Sequence, residues 1–480
     1  MNAVRSLLII LATAGFAVVT QAHGADLWDV YQLALKNDPT FQQAQANYQA
    51  TLENKPIARA GYLPSLSLNA SKSWSTSYGT SLTNTAPPGQ PPIFGNVYNS
   101  TPGRDTQYGL QLTQPIFNWA AWENIKQADA SVAQAEAQYL AAQQDLIVRT
   151  ATAYFNVITA RDTLSADHAA TEANGKQLEQ AKAQYKVGTV AITNVEQAQA
   201  AYDQSVANEI GARQQAINAE ESLRAITGEP AGELQEPAPD MPLHSPEPAS
   251  AQQWVDTALK QNPNLMAAQA AAEVAARTVA IKRAGHLPTL GLTASYGRDN
   301  ATGTIFNTFQ TNQKQLMLNF SMPLFSGGGV TAQVTQAQRQ YDAAQDQAQL
   351  VTRQTVQQAR TAYLGVLTGI SQVQALRQSV KSNQTSLQAT ETGLRVGTQT
   401  IVNVLLAVQN LATAQTGFAQ SRDNYLISVL TLKQAAGILS PKDLQQLSAL
   451  LVVPAPTPDL NAMGLAPEAA TSVPPLGAGG

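Results

Sequence analysis

Ser65-Leu66-Ser67-Leu68-Asn69-Ala70-Ser71-Lys72-Ser73-Trp74-Ser75-Thr76-Ser77-Tyr78 separates two kinds of residue by position. Its odd positions are Ser or Asn throughout, and its even positions are mainly apolar or aromatic. Successive side chains of a strand point to opposite faces, so this period of two predicts a β-strand with one hydroxyl face and one apolar face. The run from 107 to 116 alternates likewise, with Tyr108, Leu110, Leu112, Gln114 and Ile116 against Gln107, Gly109, Gln111 and Thr113. Leu290, Leu292, Ala294 and Tyr296 oppose Thr289, Gly291, Thr293 and Ser295. A fourth run sets Leu316, Leu318, Phe320 and Met322 against Gln315, Met317, Asn319 and Ser321, with Met317 the one misfit.

A soluble sandwich would turn Lys and Glu toward water on its polar face. These polar faces carry uncharged Ser, Thr, Asn, Gln and Gly, which fits transmembrane strands of about ten residues, polar inward and apolar toward lipid. Four strands leave two open edges, and unsatisfied backbone groups are not tolerated in lipid, so closure requires several chains. Two chains would make eight strands and an interior filled by side chains. Three would make twelve, wide enough for a lumen, and the serine-lined face favours that trimer.

The chain is written twice. Ala34-Leu35-Lys36-Asn37-Asp38-Pro39 returns as Ala258-Leu259-Lys260-Gln261-Asn262-Pro263, and Ala60-Gly61-Tyr62-Leu63-Pro64-Ser65-Leu66 as Ala284-Gly285-His286-Leu287-Pro288-Thr289-Leu290. Gln114-Pro115-Ile116-Phe117 matches Met322-Pro323-Leu324-Phe325. Val187-Gly188-Thr189, with Ile192 and Asn194, matches Val396-Gly397-Thr398 with Ile401 and Asn403. Such self-similarity marks a duplication, ordered helix, strand, loop, strand, long helix, break, helix. The first repeat occupies 23–228 with its hairpin at about 63–117, and the second 251–437 with its hairpin at about 287–325.

From Asn118 to Lys186 the only breaker is Gly175, so a helix roughly 100 Å long is expected. Ile125, Ala128, Val132, Ala135, Tyr139, Ala142 and Leu146 alternate steps of three and four, the seam of a left-handed coiled coil. The seam breaks at Arg149 and resumes with Ala153, Val157, Ala160 and Leu164. The stretch from about Gly329 to Arg395 has the same build. Pro64, Pro115, Pro288 and Pro323 are placed at the strand–helix corners, where a fixed φ and a missing donor do no harm. Segments 81–102 and 299–312 are expected as hairpin tips, 229–250 as an irregular link with six prolines, and 453–480 as a disordered tail.

Arg5 precedes an apolar stretch from Leu7 to Val19, and Thr20-Gln21-Ala22 supplies small residues for cleavage. Residues 1–22 thus read as a secretory signal; a membrane anchor would need about 20 apolar residues. Composition removes most chemistry. There are no cysteines, and His23, His168, His244 and His286 are scattered without metal-ligand spacing. No nucleotide-binding or nucleophile-elbow motif occurs, and no metal or cofactor site is expected. Lys+Arg 29 against Asp+Glu 33 leaves no basic surplus for nucleic acid. Glu136, Asp145 and Glu196 read as solvated helix faces, so an enzyme is not expected.

The arrangement resembles the TolC family of outer-membrane efflux and secretion ducts over roughly residues 26–452. The resemblance rests on the segment from Tyr185 to Val195, continuing through Ala200-Ala201-Tyr202-Asp203 to Ala207-Asn208-Glu209, together with Leu223-Arg224-Ala225-Ile226-Thr227-Gly228 and Gly285-His286-Leu287-Pro288-Thr289-Leu290. It implies a mixed α/β membrane protein: a homotrimeric twelve-stranded transmembrane barrel in outer-membrane lipid, continued by a periplasmic α-helical coiled-coil tunnel. An equatorial belt would draw on 229–250 and 438–452. Partners would be a periplasmic adaptor and an inner-membrane transporter of RND, ABC or MFS type, and the chain itself a passive exit duct for multidrug efflux or type I secretion.

The turns at Val187, Gly188, Thr189 and at Val396, Gly397, Thr398 would then contact the adaptor. The family closes its tip through Tyr, Arg and Asp and rings the entrance with Asp. The matching positions hold Leu394, Gln399 and Asn194, with Asn403 and Leu406 in place of the ring; Thr193 is kept. The resemblance therefore implies a neutral gate held by hydrogen bonds and by Leu394 and Leu406 packing. The competing reading is a periplasmic coiled-coil scaffold that forms no pore, which leaves the four alternating strands unexplained.

Overall fold

The computed structural model describes residues 25–230, 232–302 and 308–453. The expected signal, residues 1–22, and the expected tail 453–480 except for Val453 lie outside them. Helices α1 (Leu27–Asn37), α2 (Pro39–Leu52) and α3 (Asn54–Ala60) lead into strands β1 (Ser65–Asn84) and β2 (Phe94–Phe117), followed by α4 (Trp119–Lys186) and α5 (Ile192–Thr227). After the short strand β3 (Glu236–Pro237) come α6 (Ala251–Gln261), α7 (Pro263–Arg283), β4 (Thr289–Thr302), β5 (Thr308–Ser321), α8 (Gly329–Arg395) and α9 (Ile401–Ala435). Helix α10 (Pro441–Ser448) and strand β6 (Leu451–Val452) follow. The chain forms two compact units: one of Gln42–Gln143 and Val255–Ala359, the other of the remaining described residues.

The first unit holds a four-stranded antiparallel sheet in the order β1-β2-β4-β5. Its register aligns the two kinds of residue across all four strands. Leu66 pairs with Leu112, Leu112 with Ala294 and Ala294 with Leu316, an apolar row. The row behind it joins Ser67, Gln111, Ser295 and Gln315. Met317 sits opposite Thr293, in line with Thr113 and Ser65, so the misfit lies in the first row of the polar face. Leu66, Leu68, Trp74, Leu316, Leu318 and Phe320 are exposed, and no residue of β1 is buried.

The hairpins reach further than the alternation indicates. β1 runs to Asn84 and β2 starts at Phe94, so the first tip is 85–93 rather than 81–102. Ladder hydrogen bonds pay no attention to side-chain polarity, and Thr, Ser and Asn continue the pairing. β4 likewise runs to Thr302 and β5 begins at Thr308. Pro64 and Pro288 directly precede β1 and β4, and Pro323 follows β5 by two residues. Pro115 is not at a corner but inside β2, where the register to β4 shifts between Pro115 and Phe117. A bulge tolerates the missing donor there. The Gln114 amide spans the site, donating to the Tyr62 carbonyl at 3.0 Å, while the Tyr62 hydroxyl donates to the Ile116 carbonyl at 3.1 Å.

The single leading helix of each repeat is broken by its proline. The Asp38 carboxylate accepts from Phe41 N–H at 2.9 Å, and the Asn262 side chain accepts from Asn264 and Leu265 N–H, with Pro39 and Pro263 opening the next helices. Both are N-caps followed by proline at the first helical position. In the α4 seam Ala128, Ala135, Leu146, Val157 and Leu164 are buried. Tyr139 stacks on Tyr48 with ring centroids 5.1 Å apart. At the seam's break, Arg149 reaches Asp38 at 2.8 Å and Asp145 at 2.6 Å, and Asp145 stays on the exposed helix face.

In the second unit the middle of α4 is buried on several sides, through Leu146, Ile147, Ala151, Tyr154, Phe155 and Ile158. The Tyr154 hydroxyl donates to the Gln235 carbonyl at 2.7 Å. β3 pairs with β6, which joins the 229–250 link to the 438–452 segment. Beside this pair lies a buried ionic cluster. Arg422 donates from Nε to Asp423 at 2.9 Å and from Nη2 to Asp162 at 2.9 Å, and the Thr159 hydroxyl donates to Asp423 at 2.8 Å.

Desolvation pushes the Asp423 carboxyl up to about 6, opposed by Arg422 and Thr159, which favour the anion. Burial shifts Asp162 and Glu236 in the same direction. An unfolded aspartate titrates near ~3.9. The folded chain therefore holds the Asp423 proton more tightly between about 4 and about 6, so this group's contribution to stability falls as pH rises through that window. The melting temperature of Asp423→Asn is expected to fall less across that window than the parent's, by calorimetry. Equal pH slopes would show that Asp423 does not titrate there.

Candidate functional site

The two helix-to-helix turns, α4 to α5 and α8 to α9, are built alike. In the first, Gly188 adopts φ 76° and its N–H donates to the Tyr185 carbonyl at 2.9 Å, while Thr189 N–H donates to the Gln184 carbonyl at 3.0 Å. In the second, Gly397 adopts φ 79°, its N–H donates to the Leu394 carbonyl at 3.1 Å, and Thr398 N–H donates to the Gly393 carbonyl at 2.8 Å. This pair of bonds around a left-handed residue is the Schellman termination, and glycine supplies that conformation without Cβ strain. The Thr189 and Thr398 hydroxyls reinforce it on the same carbonyls, at 2.9 Å and 3.2 Å. Val-Gly-Thr thus specifies a compact reversal whose valines, Val187 and Val396, stay 73% and 69% exposed.

Behind the turns the helices meet through small and branched side chains. Leu178, Ala181, Ala198, Ile401 and Leu405 form a buried cluster, against which Val195, Ala201, Tyr202 and Leu394 pack. Leu394 is therefore an intrachain packing residue. Leu406 does not join it: the side chain is 53% exposed, one position past the buried Leu405 on a different face of α9. Leu394 thus packs inside the chain, and Leu406 presents its side chain on the exposed face of α9.

The polar members split into two sets. The Asn403 side-chain amide donates to Gln399 Oε1 at 2.6 Å, and both residues are exposed. Thr193 and Asn194 begin α5, with Asn194 N–H on the Ala191 carbonyl at 3.0 Å, and Asn403 N–H on the Thr400 carbonyl at 3.1 Å is the matching bond of α9. Among the described residues no hydrogen bond joins Thr193 or Asn194 to Gln399 or Asn403. The segments 187–194 and 396–406 contain no charged residue, and the exposed Lys186 and Arg395 directly precede them, so neither turn carries a carboxylate.

Sequence reasoning missed Gly393, the residue beneath this pair. A Cβ there would stand 2.5 Å from Gln399 Cγ and 3.1 Å from Thr398 Oγ1. The buried cluster was legible in principle, since Ile401, Leu405 and Val408 recur at helical spacing. The Gly393 approach was not, because it depends on how the turn folds back.

A family model described as outer membrane efflux protein matches residues 30–229 and 254–438. Outer membrane protein TolC of Escherichia coli (strain K12) is 36% identical over 473 residues, covering 96% of this chain and 92% of that protein. Alkaline protease secretion protein AprF of Pseudomonas aeruginosa is 29% identical, covering 90% and 88%. Among solved structures, the Campylobacter jejuni CmeC outer membrane channel superposes with a TM-score of 0.72 at 21% identity, covering 89% of this chain and 90% of that one.

Gly393→Ala is expected to displace Gln399, break its bond to Asn403 and speed amide hydrogen exchange across 396–406. Gly211→Ala, whose added Cβ meets nothing within 4 Å in α5, should leave that exchange unchanged. Equal exchange in the two variants would remove Gly393 from the tip's design.

Proposed function

The chain belongs to the outer membrane efflux protein family, and on that premise we propose that it is a passive exit duct in the outer membrane of a Gram-negative bacterium. It receives cargo from an inner-membrane transporter through a periplasmic adaptor and releases it outside, in tripartite efflux, type I secretion or both. Relatives described as efflux and protease secretion proteins support this reading. The single observation that carries it is the sheet: four strands, exposed, with hydroxyl and apolar rows segregated and edge strands β1 and β5 at its two sides.

Three copies would close that sheet by pairing β5 of one with β1 of the next, giving twelve strands around a hydroxyl-lined lumen. The long helices α4 and α8 would wall the periplasmic tunnel. The exposed Val187 and Val396 would offer the adaptor a small apolar contact at each turn, held in place by the Gly188 and Gly397 reversals. Thr193, Asn194, Gln399, Asn403 and Leu406 would line the constriction, with Leu394 packed behind it. No step of this function calls on a cofactor or a reacting group.

Without carboxylates at Asn403 and Leu406 the constriction lacks the field that concentrates cations. Single-channel recording of the mature protein in a planar bilayer under a salt gradient tests both points. Discrete steps with a reversal potential near zero are expected, and Leu406→Asp should shift the reversal potential toward cation selectivity. Strong cation preference in the parent, unaffected by substitutions near Asn403, would overturn the neutral constriction. Absence of steps and of membrane insertion would favour the periplasmic scaffold instead.

A further inference from the structure

The sheet carries a charge pattern that conduction does not require. Each of its four strands holds one basic residue: Lys72 in β1, Arg104 in β2, Arg298 in β4 and Lys314 in β5. The two carboxylates of these strands are Asp105 and Asp299, each directly after an arginine. Register assigns them to opposite faces. Lys72 pairs with Thr106, Arg104 with Trp74, Arg298 with Tyr108 and Lys314 with Tyr296, all on the face that bears Leu66, Leu68, Leu110 and Leu316. Asp105 pairs with Ser73 and Asp299 with Gln107, on the hydroxyl face.

Position along each strand is equally regular. Coming from the helix-joined ends, Leu66, Leu68 and Ala70 precede Lys72; Leu112, Leu110 and Tyr108 precede Arg104; Leu290, Leu292, Ala294 and Tyr296 precede Arg298; Phe320, Leu318 and Leu316 precede Lys314. In β4 and β5 the basic residue stands where the apolar run ends on the side of the hairpin tip, while in β1 and β2 the same face goes on through Trp74, Tyr78 and Leu82 past Lys72 and through Tyr98 and Phe94 past Arg104; all four cations are exposed. Lys72 Nζ lies 5.4 Å from the centroid of Trp74, and Lys314 Nζ 5.8 Å from that of Tyr296. Arg298 donates to Gln310 at 3.0 Å. An aromatic-and-basic border at the end of an apolar band is the signature of a membrane interface.

We propose that Lys72, Arg104, Arg298 and Lys314 form a collar that binds the phosphate groups of phosphorylated glycolipid in the external leaflet. The inference rests on the membrane-spanning reading above. A surface facing water mixes both signs, whereas here carboxylates, which would repel phosphate, are confined to the other face. Guanidinium groups take phosphate bidentately and lysines as point charges. With the helices in the periplasm the collar lies at the external side, where the lipid headgroups are phosphorylated glycolipids. Three copies would present twelve cations, one at every strand.

The test uses the full mature chain, first inserted into vesicles and then examined in detergent by native mass spectrometry. The probes are bisphosphorylated lipid A and the same lipid after phosphatase treatment, each with and without inorganic phosphate. The parent should retain the bisphosphorylated lipid at least ~10-fold over the dephosphorylated one, and the quadruple variant Lys72→Gln, Arg104→Gln, Arg298→Gln, Lys314→Gln should lose that preference. Exchanging Lys and Arg at the four positions should preserve it. If the quadruple variant does not assemble, the Lys72→Gln/Lys314→Gln and Arg104→Gln/Arg298→Gln pairs should each lower the preference. Equal retention of both lipids by the parent, undiminished preference in the Gln variants, or displacement of the lipid by inorganic phosphate would each overturn the collar. Failure of the parent to insert into vesicles would overturn the membrane-spanning reading itself.

Discussion

Every backbone amide placed in lipid needs a partner, and the sheet of this chain puts two strands, β1 and β5, at its edges. Neither the hydroxyl face nor the apolar face is covered by another layer of the unit. In water such a sheet would expose a broad hydrophobic surface. In the proposed barrel the same features become requirements: the edges find strands of neighbouring copies, the apolar rows find lipid, and the hydroxyl rows find the lumen. The segregation of Lys and Arg from Asp across the sheet obeys the same division.

The helices are stabilised by different means along their length. Alanine in the α4 seam lets backbones approach closely, at the cost of little side-chain entropy. Where that seam is interrupted, Arg149 engages Asp38 and Asp145, and beside β3 Arg422 of α9 joins Asp423 and Asp162. Buried ion pairs add little net stability over apolar packing, yet removing one partner is costly, so they fix register more than they strengthen it. The turns rely on neither device. They are closed by backbone bonds around Gly188 and Gly397, with Val187 and Val396 exposed outside.

Alternation over 65–78 made the strand, its faces and its membrane character legible, because a period of two leaves one arrangement that buries nothing polar in lipid. The duplicated Val-Gly-Thr made both turns legible, since a glycine between long helices has few other uses. The hairpin tips were overestimated because backbone pairing does not depend on polarity and continues through Thr, Ser and Asn. Pro115 was misplaced because a bulge is set by the register to β4, a neighbour distant in sequence.

Local periodicity, caps and turn residues acted through neighbours a few positions away, so the sequence by itself determined the kind and order of elements and the absence of carboxylates from the turns. Contacts between distant segments obey no local period. The union of β3 with β6, the burial of Arg422 beside Asp162, the close approach of Gly393 to Gln399 and the alignment of four lone cations on one face were therefore decided only by the tertiary structure.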